Sequence, residues 1–220
     1  MQLNTVIFDM DGLLIDSEPF WQEAGMETLE QFDIALTLDQ YHHTTGLRTR
    51  EWLDYWFGYF NVSKDFAPEA EDIIHRKAIE KIGAKGEAMA GVDDILSYFK
   101  QQHFRIGVAT SSPMALVDVV IEKLGIRDYL DAIASAGDLP FGKPHPQVYM
   151  NCAVALAASP LQCICFEDSF NGLIAAKAAR MKCVIIPAPD QYPLPKWGAA
   201  DLKLSRLAEF NDTHLAALNR

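Results

Sequence analysis

The sequence predicts an α/β protein in which a parallel sheet lies between two layers of helices and carries an all-helical insertion after its first strand. Three observations lead there. Short apolar runs rich in β-branched and aromatic residues, such as Val6-Ile7-Phe8, Phe104 to Ala109 and Cys163 to Phe166, read as buried strands. Helix-period segments separate them from residue 86 onward, and strands alternating with helices imply parallel pairing with right-handed crossovers. Between residues 16 and 85, by contrast, only helical spacing occurs, so that block interrupts the alternation just after the first strand.

The first strand ends in Asp9-Met10-Asp11-Gly12. Alternation puts both carboxylates on the same side of the chain, and Gly12 lets the backbone turn at once. Taken alone, Asp-x-Asp-Gly also suits a solvated acidic turn. A calcium loop fits poorly, because it would need an oxygen ligand where Leu13 stands and a preceding helix. Asp16 or Ser17 followed by Pro19 marks a helix start, with Phe20, Ala24, Leu29 and Phe32 at helical spacing. Further helices are expected over 38–43, 50–59 and 66–82. Gly91 opens a helix over 92–101, strand 104–109 runs into Thr110-Ser111-Ser112-Pro113, and a helix follows to Leu124. A strand over 132–135, a loop to Pro146, a helix over 147–157, a strand over 163–166, a helix over 171–179 and strands over 183–186 and 201–204 complete the pattern. Residues 187–195 are proline-rich and read as a surface loop.

At 220 residues the chain can bury a full core, in one domain or a core with an insertion. Half of it is apolar and its mean hydropathy is close to zero, as in soluble globular proteins. A formal net charge of −11 with no basic run argues against nucleic acid and anionic membrane as partners. Neither a signal peptide nor a membrane span is evident. Cys152, Cys163, Cys165 and Cys183 lack metal-ligand spacing and read as reduced, buried small hydrophobes, which points to the cytoplasm. A monomer or weak dimer is expected.

Each strand delivers polar residues where an open parallel sheet binds its ligands. Individually these have ordinary explanations: Thr110-Ser111 as a helix cap, Lys143 as a solvated loop residue, Glu167-Asp168 as acids favouring a helix dipole. Together, Asp-x-Asp, Thr-Ser, Lys and Glu-Asp supply what phosphoryl transfer to a carboxylate requires. A phosphate monoester repels an attacking carboxylate, so the reaction needs a divalent cation, a lysine and oriented donors. Oxygen-only ligands favour magnesium.

Asp9-Met10-Asp11-Gly12-Leu13-Leu14-Ile15-Asp16-Ser17, Ala109-Thr110-Ser111, Gly142-Lys143-Pro144-His145-Pro146 and Phe166-Glu167-Asp168-Ser169 resemble, in order, the four motifs of the haloacid dehalogenase superfamily. The chain is most similar to the subgroup of sugar-phosphate phosphatases, among them the hexitol and 2-deoxyglucose-6-phosphate phosphatases, and is related to β-phosphoglucomutase. The resemblance implies a Rossmann-like core over 1–15 and 86–220 and a helical cap domain over 16–85. It implies Asp9 as nucleophile, and Asp11 as proton donor and acceptor whose backbone carbonyl reaches the metal. Thr110 and the Ser111 N–H would bind phosphate. Lys143 would hold Asp9 and the phosphoryl oxygens, and Glu167 with Asp168 would complete a magnesium site.

The departures are informative. β-Phosphoglucomutase carries a cap lysine and a linker-helix histidine where this chain has Thr45 and Trp21. Their absence favours hydrolysis over phosphoryl return. Ala90 and Gln147 replace a customary proline and aspartate without removing a catalytic group. Within the cap, Gly46 and Arg48 between helical segments, and Glu18 just after the hinge expected over 12–17, are expected at the substrate. His42 and His43 read as surface, and Trp52, Tyr55, Trp56, Phe57 and Tyr59 as cap core or contact surface. The expected activity is magnesium-dependent hydrolysis of a small phosphate ester. A phosphomutase and a non-catalytic sugar-phosphate sensor are the alternatives.

Overall fold

The computed structural model describes residues 2–44 and 47–220, apart from the side chain of His42. Among the described residues there are six strands: β1 (Thr5–Phe8), β2 (Arg105–Thr110), β3 (Ala132–Ser135), β4 (Cys163–Glu167), β5 (Lys182–Ile185) and β6 (Leu202–Lys203). They form one sheet in the order β3-β2-β1-β4-β5-β6, with every pair parallel. The order reverses direction at β1, which places the strand carrying Asp9 at the switch point where such sheets open a crevice.

The strands are apolar on both faces because helices cover both. Val6 and Phe8, Ile106 and Val108, and Ile164 and Phe166 turn toward α5 (Val92–Gln101) and α6 (Met114–Leu124). Ile7, Ala109, Cys163 and Cys165 turn the other way, toward α7 (Gln147–Ala155) and α8 (Phe170–Ala178). On the first face Phe8, Phe99, Phe166 and Phe210 pack ring against ring, with Phe8 and Phe166 stacked at 5.1 Å. Burial of each such ring stabilises the fold by roughly 1.5–3 kcal/mol. All four cysteines are buried and free, as their sequence context suggested.

Between β1 and α5 the regular elements among the described residues are helical: α1 (Glu18–Leu29), α2 (Leu38–His43), α3 (Thr49–Tyr59) and α4 (Ala67–Lys85). The chain leaves and re-enters the sheet through adjacent segments. The Asp16 amide donates to the Glu87 carbonyl at 2.9 Å, the Met89 amide to the Leu14 carbonyl at 3.0 Å, and Ile15 bridges Ala88. Of the aromatic group on α3, Trp52, Trp56 and Phe57 are buried while Tyr55 and Tyr59 are exposed.

Most boundaries match the periodicity to within a residue or two. α4 runs to Lys85, three residues past expectation: the helix continues through Gly83 and ends at Gly86. α7 stops at Ala155, since Ala157 takes a left-handed conformation that closes the turn. A short C-terminal helix, α9 (Asp212–Leu218), has too few apolar residues to show a period; Asn211 caps it and Leu218 anchors it. No helix among the described residues is long and apolar enough to cross a membrane.

Gly107 in β2 lets α7 approach the sheet, for a Cβ there would lie 2.7 Å from Cys152 Sγ and 2.9 Å from Leu156 Cδ1. Gly107→Ala is expected to lower stability by about 1–3 kcal/mol through overpacking, measured by urea denaturation. An unchanged midpoint would show that the layers are not in tight contact.

Candidate active site

Asp9 leaves β1 with its amide donating to the Phe166 carbonyl of β4 at 3.0 Å, which fixes the carboxylate at the mouth of the sheet. Lys143, from the loop after β3, is 3 % exposed, and its Nζ is the centre of the site. It lies 2.7 Å from Asp9 Oδ1, 2.6 Å from Glu167 Oε1 and 3.0 Å from the Ala109 carbonyl. Glu167 also accepts from the Tyr149 hydroxyl at 2.5 Å. Its other oxygen accepts from the amides of Asp168 and Ser169 and from the Ser169 hydroxyl. That pattern turns the backbone so that Asp168 points at Gly12. Gly12 has a φ of +72°, and any Cβ there would run into the Asp168 carboxylate.

Asp11 is held differently. Oδ1 accepts from Ser17 Oγ at 2.7 Å and Trp21 Nε1 at 2.9 Å; Oδ2 accepts from Ser112 Oγ at 2.6 Å, with Thr110 Oγ1 at 3.4 Å. Ser17 occupies the N-cap position of α1, yet its hydroxyl caps nothing and serves Asp11 instead. Thr110 is buried and accepts the Ser112 amide at 3.0 Å, while Ser111 Oγ is buried with no partner, as a hydroxyl awaiting a ligand would be.

A cavity of about 100 Å³ gathers Asp9, Asp11, Glu18, Arg48, Thr110, Ser111, Lys143 and Asp168, so most of the residues singled out from sequence converge. Glu167 lies behind them, fully buried. Gly46 and Thr45 fall outside the described residues. Arg48 lines the cavity, but its guanidinium is engaged elsewhere. It donates to the carbonyls of Ala136, Leu139 and Pro140 at 3.1, 2.5 and 3.3 Å, and pairs with Glu51 at 2.8 Å. Sequence reasoning missed Ser112, Tyr149 and the contact of Trp21 with Asp11. Ser112 follows the Thr-Ser pair directly, so adjacency marked it; Trp21 stands one helical turn after Ser17, which places it beside Ser17 but carries no signal for Asp11.

Burial, reinforced by Glu167, pushes the Asp9 carboxyl up to about 7 against the opposing pull of Lys143. Burial also lifts Asp168 well above the carboxylate range, with Glu167 and Asp9 adding to the effect. Burial, then Asp11 and Asp16, raise Glu18 to about 7. Burial alone would depress Lys143, but Asp9 and Glu167 outweigh it and hold the ammonium charged. Asp9, Glu167 and Asp168 can bring carboxylate oxygens within 4.8 Å of one another, the one such group among the described residues. Crowding three acids around one ammonium holds two of their carboxyls above the ordinary range, and a divalent cation with oxygen ligands would favour the ionised forms.

Because Asp9 ionises less readily folded than unfolded, the native chain holds the extra proton between about pH 4 and pH 7, and stability is lost as pH rises through that window. In EDTA, the stability difference between Asp9→Asn and the native chain is expected to shift in favour of the variant by roughly 2–4 kcal/mol from pH 5 to pH 8. A pH-independent difference in chemical denaturation would contradict this assignment.

The haloacid dehalogenase-like hydrolase family profile matches residues 6–186. The chain is 38% identical over 209 residues to hexitol phosphatase B of Escherichia coli K12, covering 94% of each protein. It is 29% identical over 189 residues to a β-phosphoglucomutase of Bacillus subtilis, covering 83% of this chain and 82% of that one. Among solved structures, that of CbbY from Rhodobacter sphaeroides in complex with phosphate superposes with a TM-score of 0.87 at 23% identity, over 98% of this chain and all of the other. The β-phosphoglucomutase of Clostridium difficile gives the same TM-score at 22% identity, over 99% and 97% of the two chains. The parallel sheet that delivers the four motifs to one crevice, and the match over most of its length, make this chain a member of the haloacid dehalogenase-like hydrolase family.

Proposed function

We propose that this chain is a magnesium-dependent phosphatase that hydrolyses small phosphorylated metabolites, sugar or hexitol phosphates first among them, through an aspartyl-phosphate on Asp9. The observation that carries the reading is a buried lysine clasping the terminal carboxylate of β1 at the floor of a cavity. In it, Asp9 attacks phosphorus as the ester P–O bond breaks, and Asp11 gives a proton to the departing alcohol. Water then attacks the phosphorus, Asp11 takes back a proton, and Asp9 is released with inorganic phosphate. Thr110 and Ser111 hold the equatorial oxygens, and Lys143 shields the negative charge. Asp9, Glu167, Asp168 and the Asp11 carbonyl would hold magnesium, which when bound neutralises the phosphoryl group and favours the ionised nucleophile.

The substrate class follows from the walls. Trp21, Tyr41 and Trp52 offer apolar ring surface and Glu18 an oxygen acceptor, a mixture suited to the C–H faces and hydroxyls of a polyol. Similarity to hexitol phosphatase B supports the same class. Residues 16–85 act as a cap that closes over the bound ester, with 12–17 and 90–91 as its hinge. The similarity to β-phosphoglucomutase favours phosphoryl return as the second reading. Conversion of β-glucose 1-phosphate to glucose 6-phosphate without phosphate release would establish it.

Turnover of p-nitrophenyl phosphate with magnesium, its suppression by EDTA, and a fall of more than about a thousandfold in kcat for Asp9→Asn are the expected results. Full activity in that variant would sink the mechanism, and tight sugar-phosphate binding with no turnover would identify a sensor. Magnesium at a hundredfold excess over its Kd is expected to stabilise the native chain by roughly 2–3 kcal/mol in thermal melts. Asp168→Asn should lose that stabilisation; its retention would place the metal elsewhere.

A further inference from the structure

The geometry points to a division of labour between the two oxygens of Asp11: Trp21 and Ser17 anchor Oδ1 as a permanent acceptor, so that the transferable proton is confined to Oδ2. The inference rests on the phosphatase reading and deepens it. An indole N–H donates and cannot accept, so while Trp21 Nε1 lies 2.9 Å from Oδ1 that oxygen cannot itself carry a proton toward the ring. The Ser17 hydroxyl, fully buried, supplies a second donor to the same oxygen at 2.7 Å. Oδ2, by contrast, has no donor-only partner, since both of its neighbours are hydroxyls. Ser112 Oγ at 2.6 Å can rotate its hydrogen away and become an acceptor, and Thr110 Oγ1 at 3.4 Å is a weak contact. Oδ2 is therefore the oxygen that can exist either protonated or bare without breaking a fixed donor bond. It also lies on the side of Thr110, where the phosphoryl group is proposed to sit.

Trp21 is placed for this by its own packing. One helical turn beyond Ser17 on α1, it lines the cavity with its ring and meets His75 of α4 edge-on at 6.0 Å. It is a positioning residue: it touches Asp11 and sets its orientation, but holds no mobile proton. In the transfer step the Asp11 Oδ2–H bond breaks, the proton passes to the leaving oxygen as its bond to phosphorus breaks and the Asp9–phosphorus bond forms, and Asp11 is left as a carboxylate. Loss of the anchor lets the carboxyl rotate and spreads the proton over both oxygens. Esters with basic leaving groups, which depend on protonation, then suffer most.

The test compares kcat/KM for phenyl phosphate, whose leaving phenolate is strongly basic, with p-nitrophenyl phosphate, whose leaving group departs without a proton. Trp21→Phe keeps a ring and removes the N–H. It is expected to lower kcat/KM for phenyl phosphate about ten times more than for p-nitrophenyl phosphate, a fraction of the full effect of a general acid. Ser17→Ala removes the other Oδ1 donor with the loss of one oxygen atom. It should shift the same ratio in the same direction, and it carries the test if the tryptophan variant fails to fold. Equal losses on the two esters would mean that Trp21 only shapes the cavity, and no loss would mean that the anchor is idle; either overturns the inference while leaving the phosphatase reading intact. Absence of turnover of either ester by the native chain would instead remove the phosphatase reading, and this one with it.

Discussion

A single buried ammonium organises the site. A charge as deeply enclosed as Lys143 Nζ is tolerable only with close partners on several sides, and it has them in Asp9, Glu167 and the Ala109 carbonyl. Those partners sit at the ends of β1, β4 and β2, so one contact point registers three strands and the loop after β3. The ring of Tyr149 lies 4.9 Å from the same ammonium and its hydroxyl reaches Glu167, which brings α7 into the arrangement. The sheet is therefore held at its open edge by charge as well as by the apolar layers beneath it.

The two aspartates of the first loop then differ by environment. Asp9 lies among other carboxylates with an ammonium on one side, and burial drives it toward neutrality. Asp11 is surrounded by hydroxyls and an indole, neutral donors that fix its direction. Two identical side chains, two residues apart, receive unlike surroundings, which is how one chemistry can assign an attacking group and a proton carrier to the same short turn.

Much of this was legible in the sequence because strand ends announce themselves. Apolar runs closing in Asp9, Thr110 and Glu167 located the crevice before any contact was known. The sidedness of the strands followed as well, since apolar residues at both alternating positions require cover on both faces. Contacts across the turns were not legible. Trp21 reaches Asp11 only because the intervening loop folds back, through the Leu14 amide bonded to the Met10 carbonyl, to set α1 beside it. Arg48 was expected at a substrate. It lines the cavity, and its guanidinium also meets three carbonyls of the loop over 136–140; backbone direction in a loop leaves no trace in residue type. Helix α9 escaped notice because seven residues hold too little periodicity.

The neighbouring strands of backbone through which the helical block departs and returns, tied by Asp16 to Glu87 and Leu14 to Met89, have a further consequence. Seen from the sheet, the block is one long loop whose two ends already touch. Closure entropy grows by only about 0.6 kcal/mol for each doubling of loop length, so the core is nearly indifferent to how much chain is spliced there or how it folds. On the proposed reading the insert could therefore be lengthened or rebuilt beyond α1, whose Trp21 holds Asp11 together with Ser17, while the strand ends stay as they are.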